Sequence, residues 1–245
     1  MSSYKLTVEY DGKRFSGWQR QLGQRTVQGV LEEALSTMLR QEVKVQGASR
    51  TDAGVHAIGQ VAGFESEEDV EPARLVRGLS ALCRPDVAVV HAKVMPDGFN
   101  ARFDSTGKHY RYRVLNRRAP PALNGNTAWH VPQDLDLDRM RAAADDLVGT
   151  HDFAGFRAAN CERETTERNL SEVIVHREED EVVTITVKGT AFLKYMVRII
   201  AGTLVGIGLR KLPPDTIGRL FETGDREIAG MTAPAHGLTL MEVFY

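Results

Sequence analysis

Cysteine is nearly absent: 245 residues contain two, Cys83 and Cys161, far apart in the chain. Neither a disulfide framework nor a cysteine metal site is expected from them, and a reducing compartment fits. Long apolar runs are missing too, so no membrane span is expected. Ser2 and Ser3 lead straight into an alternating pattern, with no apolar run of signal-peptide type. The expected address is the cytoplasm. An excess of one charge is also lacking, since 31 Lys and Arg stand against 33 Asp and Glu, a formal net charge of −2. A nucleic-acid partner would therefore have to be met by local patches. No Walker pattern and no dinucleotide fingerprint follows the first strand-like segment, so neither a nucleoside triphosphate nor a redox cofactor is implied. His56 has no second histidine or cysteine nearby at ligand spacing, so no metal is expected, and a loop-stabilising role suits it better. A reaction run without these aids is close to energetically neutral, or a hydrolysis.

What is present is globular composition, 42% apolar and 26% charged, in a chain long enough for a sizeable core. Tyr4, Leu6, Val8 and Tyr10 alternate with polar residues and predict a strand, ended at Asp11-Gly12. Val27 to Met38 carries helical spacing with Thr26 as N-cap. Val43 and Val45 predict a short strand, and Ile58 to Phe64 another. Pro72 opens a helix through about Leu82, and Val87 to Val94 closes the unit as a strand. The order β-α-β-β-α-β is the ferredoxin-like split pattern.

The second half repeats that order. A strand is expected over Lys108 to Asn116, then a helix marked by Leu137, Met140, Ala144 and Leu147 and closed by Gly149. Leu170 to Arg177 and Val182 to Lys188 form a hairpin around an acidic turn, residues 178–181. A helix follows from about Phe192 to Leu204, a shorter one near Pro213-Pro214, and a closing strand over Leu238 to Tyr245. The expected fold is α+β, with halves 1–105 and 106–245. The most loop-like stretch, Asn116 to Pro132, includes Asn124-Gly125, and a second irregular stretch covers Gly155 to Asn169.

The densest polar segment is Gly47 to Ala57, rich in small residues that let a backbone turn sharply and a substrate approach. Arg50 and Asp52 stand two apart, on one side of an extended segment. A paired carboxylate stays ionised and is a competent nucleophile, while the plain alternative is a loop-stabilising ion pair. Residues 101–120 hold Arg102, Lys108, Arg111, Arg113, Arg117 and Arg118 against the single acid Asp104, with Tyr110 and Tyr112 interleaved. Aromatics stack on unpaired bases and arginines bind phosphate, or else the tyrosines are simply the core face of a strand. Residues 13–25 add Lys13, Arg14, Arg20 and Arg25 with no acid, plus Trp18. Acids gather instead at 65–71, where they would repel nucleic acid. In the helix from Phe192, Lys194 and Arg198 at i, i+4 share a face. Arg198, in an apolar stretch, either pairs with a buried carboxylate such as Asp52 or reaches to the surface.

Eight ordered blocks resemble the tRNA pseudouridine synthase A family. They are Glu9-Tyr10-Asp11-Gly12, Gly17-Trp18-Gln19-Arg20-Gln21, Arg50-Thr51-Asp52-Ala53-Gly54-Val55-His56 and Phe99-Asn100-Ala101-Arg102-Phe103 in the first half. Tyr110-Arg111-Tyr112, Asp152-Phe153 with Phe156-Arg157, Phe192-Leu193 with Met196-Val197-Arg198, and Ala235-His236-Gly237-Leu238 follow. Ser49, Lys194-Tyr195, Ile199 and Thr239 depart from the family's commoner residues.

The resemblance implies an isomerase that converts uridines at positions 38, 39 and 40 of the tRNA anticodon arm to pseudouridine, without cofactor or metal, as a homodimer. It implies a pseudouridine synthase fold: two ferredoxin-like (RRM-like) halves sharing a central antiparallel sheet, with the active cleft between them. Asp52 would be the nucleophile or base, and attack at C1′, attack at C6 and a glycal route all stay open. Arg50 would pair with Asp52 or hold a displaced strand, Arg198 would keep Asp52 ionised, and Tyr110 would stack on uracil and take the C5 proton. Arg20, Arg102, Arg111, Arg113 and Leu238 would meet substrate. Two rival classes remain at this point: a non-catalytic RNA-binding module, and an aspartate-based hydrolase of nucleosides or glycans.

Overall fold

The computed structural model describes residues 1–123, 125, 127–161, 164–179 and 181–245. Asn124 of the expected loop turn, Asp180 of the acidic turn, and residues 162 and 163 of the irregular stretch lie outside the described residues.

In chain order the elements are β1 (Ser2–Tyr10), α1 (Val27–Leu39), β2 (Gln46–Gly47), β3 (His56–Ser66), α2 (Pro72–Cys83), β4 (Val87–Met95), β5 (Gly107–Leu115), β6 (Trp129–His130), α3 (Leu137–Asp145), β7 (Gly149–Asp152), β8 (Glu167–Arg177), β9 (Val182–Gly189), α4 (Met196–Gly208), α5 (Thr216–Thr223) and β10 (Leu238–Phe244). The chain is α+β, and its strands pair mostly antiparallel. It divides into two compact units, Met1–Thr106 with Thr239–Tyr245, and Gly107–Leu238. The last strand therefore joins the first unit, where the sequence reading assigned residues 106–245 to one half. A parallel pairing carries it there, with Thr239 beside His56 and Leu240 beside Ala57.

In the first unit β1 pairs antiparallel with both β3 and β4, and β2 pairs with β3. Tyr4, Leu6, Val8 and Tyr10 are all buried, so the period-two pattern of β1 is a core face. Helix α1 starts as its cap predicts, with Thr26 Oγ1 accepting from the Gly29 backbone N–H at 3.2 Å. Proline opens α2, where its missing N–H costs nothing. Helices α1 and α2 touch each other, and α2 lies on β4.

The expected strand at Val43 and Val45 is a correction. Both valines are buried, but the ladder is the two-residue β2 just beyond them. Side chains of α1 take the backbone groups a strand partner would need. Glu32 Oε1 accepts from Val45 N at 3.1 Å, and Gln28 Nε2 donates to the Val45 carbonyl at 2.9 Å.

In the second unit β9 pairs with β5 and β8, β8 pairs with β7, and β6 runs parallel to β5. Its core is α4, of whose thirteen residues only Arg198 and Gly206 are not fully buried. Two boundaries differ from the periodicity. Tyr195 takes a left-handed conformation, φ 66°, so α4 begins at Met196 rather than near Phe192. Lys194 precedes the helix, and it does not share a helical face with Arg198. Gly149 has φ +113° and opens β7, so α3 ends at Asp145 without a glycine cap. The short β6 and β7 had no signal in the sequence, being too brief to show alternation.

Candidate active site

The polar segment between β2 and β3 is a loop held by backbone contacts from the start of the chain. Trp18 N–H donates to the Thr51 carbonyl at 3.0 Å, and Val55 N–H donates to the Asp52 carbonyl at 3.1 Å. The Tyr10 hydroxyl and Thr51 Oγ1 lie 2.7 Å apart. Gly17, at φ +95°, presses so closely that an added Cβ would sit 2.7 Å from the Thr51 carbonyl oxygen. Gly12 is tighter still, since its Cβ would fall 2.1 Å from the Val55 carbonyl oxygen. Only glycine permits such an approach. The blocks at 9–12 and 17–21 thus meet the block at 50–56 in space.

Below the loop sits Gln60, fully buried in β3. Its amide donates to the Ser49 carbonyl at 2.8 Å and to the Tyr10 hydroxyl at 3.4 Å. Its carbonyl accepts from Ser49 N at 3.3 Å and Val61 N at 3.1 Å. Sequence reasoning missed this node. The available signal was a lone amide inside a run of small and apolar strand residues, where a buried polar group needs partners. His56 is a loop stabiliser, as expected. Its Nδ1 is 3.2 Å from both Gly12 N and the Asp11 carboxylate. On this frame Asp52 is half-buried and Arg50 exposed. Among the described residues, no group of three or more His, Cys, Asp and Glu side chains is placed to hold a metal ion.

The acid-free sequence stretch 13–25 is not free of acid in space. Arg20 Nη1 meets Glu32 at 2.9 Å, and Asp86 meets Arg25 at 3.0 Å and Arg14 at 3.8 Å. The partners come from α1 and from the residue before β4, which sequence proximity could not reveal. Arg102 lies beside Phe103, its guanidinium 5.5 Å from the ring centroid.

In the second unit, β5 has the two faces its alternation predicts. Tyr110, Tyr112 and Val114 are buried, and Arg111 and Arg113 are half-buried between them. Tyr112 is a core residue. Its hydroxyl donates to the Pro234 carbonyl at 2.8 Å, and burial pushes its phenol well above the ordinary range, only partly opposed by the Arg198 charge. The Tyr110 ring sets its edge on Phe192, 5.1 Å between centroids. Arg198 Nε donates to the Ala233 carbonyl at 2.8 Å, and its guanidinium lies 4.7 Å from the Tyr195 ring centroid. The left-handed turn at Tyr195 that starts the helix therefore also supplies a ring for Arg198. Arg113 reaches Thr127 at 3.4 Å, and Arg111 Nε is buried without a hydrogen-bond partner among the described residues. Lys108 is buried. Leu238 is buried at the start of β10.

A family model described as tRNA pseudouridine synthase matches residues 6–104 and 143–245. The chain belongs to the tRNA pseudouridine synthase family. The matched segments include the Asp52 loop, Arg198 and Leu238, and Tyr110 falls in the gap between them. Full-length relatives span that gap. The tRNA pseudouridine synthase A of Geotalea daltonii is 46% identical over 245 residues, covering 100% of both chains. That of Geotalea uraniireducens is 47% identical over 247 residues, again 100% of both. That of Myxococcus xanthus is 46% identical over all of this chain and 92% of its own. Among solved structures, an archaeal box H/ACA sRNP Nop10-Cbf5 complex covers 82% of this chain and 43% of the matched chain at 14% identity. Its TM-score of 0.37 is too low to bear on the fold.

Proposed function

We propose that this member of the family isomerises uridines 38, 39 and 40 of the tRNA anticodon arm, with Asp52 as the catalytic carboxylate. As a tRNA pseudouridine synthase the chain is an isomerase that turns uridine into pseudouridine in tRNA. The observation that carries the assignment of Asp52 is the loop itself. Four neighbours, Tyr10, Gly17, Trp18 and Gln60, fix the backbone on both sides of one half-buried carboxylate. Preorganisation of this kind suits a group that must meet a reacting atom.

The reaction breaks the N1–C1′ bond, turns the uracil and rejoins it through C5. It is redox-neutral, with no net gain of water. Asp52 attacks C1′ or C6, or removes the C2′ proton. As uracil departs, the sugar gains cation character that a carboxylate stabilises, as in glycoside hydrolysis. Arg198 is assigned the salt bridge that keeps Asp52 ionised, and Arg50 the pairing or strand-holding role next to it. Tyr110 is assigned to stack on uracil and to take the C5 proton through its hydroxyl. The target base must first leave its stack, with Arg20, Arg102, Arg111, Arg113 and Leu238 along the RNA. Two ferredoxin-like halves, a shared central antiparallel sheet, a cleft between them and a homodimer belong to the same proposal. The family leaves the chain no standing as a purely binding module. The hydrolase reading needs a second carboxylate as proton donor, and the segment Gly47 to Ala57 offers none beside Asp52.

The test uses tRNA carrying tritium at uridine C5, which is released when C5 is glycosylated. The wild type is expected to release it from substrates with uridine at 38, 39 or 40 and not from tRNA lacking uridine there. Release unaffected by removing those uridines contradicts the position assignment.

A further inference from the structure

Helix α4 starts on a residue that local preference disfavours. Tyr195 holds its N-cap position at φ 66°, ψ 0°, in the left-handed region, and its side chain makes no capping hydrogen bond. An N-cap normally has extended backbone and a Ser, Thr, Asp or Asn side chain that accepts from the first turn. The left-handed region brings Cβ close to the following carbonyl oxygen, and glycine or asparagine tolerates it better than an aromatic residue. Three other non-glycine residues share a positive φ: Arg40, Glu181 and Arg210. They follow a helix or lie in the hairpin turn, where such a conformation commonly ends an element. Among the described residues at positive φ other than glycine, only Tyr195 starts a helix. A conformation kept against these preferences points to a use for the side chain.

That use shows at the ring. Tyr195 is half-buried and lies outside the core, and the Arg198 guanidinium lies over its ring, 4.7 Å from the centroid. Two bonds tie Arg198 to the segment before β10. Its Nε donates to the Ala233 carbonyl at 2.8 Å, and its own carbonyl accepts from Ala233 N at 3.1 Å. The segment is fixed in turn, since Gly230 N donates to Thr203 Oγ1 at 3.0 Å and the Tyr112 hydroxyl donates to the Pro234 carbonyl at 2.8 Å. A bond at Nε fixes one point of the guanidinium, and the ring fixes a second. The carbonyl and the ring are both uncharged, so neither cancels the positive charge of Arg198. A carboxylate in either place would cancel it.

We propose that Tyr195 is a positioning residue for the isomerisation, its ring holding the Arg198 guanidinium where that charge is needed. The proposal rests on the role given to Arg198 toward Asp52. It is favoured over a role in folding alone on two grounds. A helix start selected for stability would carry a capping side chain. A ring kept for packing would lie in the core, and this one is only half-buried.

The experiment compares Tyr195→Phe, which keeps the ring face, with Tyr195→Asn, which loses it but accepts the left-handed backbone. Arg198→Gln is run beside them, and so is Lys194→Ala, because Lys194 Nζ also lies over the Tyr195 ring, at 5.5 Å. Tritium release from C5-labelled tRNA is measured in single turnovers at saturating enzyme, Kd by fluorescence anisotropy, and folding by thermal unfolding. Tyr195→Asn is expected to slow release about 5-fold, within the roughly 2- to 30-fold that a cation–ring contact spans from exposed to desolvated sites. Its Kd for tRNA should stay within about 2-fold of wild type, as should the release rates of Tyr195→Phe and Lys194→Ala. A folded Tyr195→Asn that releases tritium at the wild-type rate overturns the proposal. So does a Tyr195→Phe as slow as Tyr195→Asn, an equal loss in Lys194→Ala, or a loss of rate that merely tracks loss of folded protein. Arg198→Gln separates the two readings. If it releases tritium at the wild-type rate, the role given to Arg198 fails and this proposal with it. If it is slow while Tyr195→Asn is normal, this proposal alone fails.

Discussion

At the residue scale, the site depends on groups that touch no substrate. The Tyr10 hydroxyl bridges Thr51 and Gln60, and through them the two sides of the Asp52 loop. Tyr10→Phe removes those hydrogen bonds and keeps the ring. A net hydrogen bond is worth about 0.5–1.5 kcal/mol, so kcat should fall about 2- to 12-fold. KM for tRNA should stay near wild type, because Tyr10 is buried away from solvent. A change confined to KM contradicts the positioning role. The loop that carries Asp52 stood out in the sequence because small residues and an Arg–Asp pair crowd one segment, and the family resemblance supplied the role proposed for it. Gln60 was not, because its partners are a hydroxyl fifty residues earlier and the backbone of Ser49, which no local pattern joins. Tyr110 and Tyr112 were legible as one face of a strand, but their burial alone cannot separate a core residue from a catalytic one. The hydroxyl of Tyr112 is committed to Pro234, and that sets it in the core.

At the scale of elements, the strong periodicities of β1, α1, α2 and β8 were readable because each buries one face. Misplaced boundaries trace to single residues. Tyr195 in the left-handed region delays α4, Gly149 starts a strand instead of capping a helix, and α1 side chains replace a strand partner at Val45. Helix α2 yields a pH prediction. Cys83, its last residue, is buried, and burial with the nearby Glu33 carboxylate pushes its thiol from 9.0 up to about 11. The folded state therefore holds this proton more tightly than the unfolded chain. The resulting stability is complete below pH 9 and is lost as pH rises toward about 11. The midpoint of urea unfolding should fall more steeply between pH 9 and 11 in wild type than in Cys83→Ala. Parallel pH profiles contradict the assignment.

At the scale of the whole molecule, a net charge of −2 conceals an uneven distribution. Cations at 101–120 and acids at 65–71 cancel in the sum but not locally. The structure sharpens this, because Arg20 already meets Glu32, which is itself buried, whereas Arg111 and Arg113 share the half-buried face of β5. Removing one phosphate contact lowers the slope of log K against log salt by about 1. Arg111→Gln and Arg113→Gln should each do so in tRNA binding, and Arg20→Gln should do less. Unchanged slopes for both β5 arginines reassign them to structure. Composition alone excluded a polybasic coat, yet it could not say which cations were neutralised, since that depends on side chains brought from distant segments.

We propose that the Asp52 carboxylate performs the isomerisation. The most direct test is tritium release from C5-labelled tRNA by wild type and by Asp52→Asn, with tRNA affinity measured in parallel. Wild type should release tritium, and Asp52→Asn should bind tRNA normally and release none above background. A variant that binds tRNA and releases tritium at an undiminished rate contradicts the account.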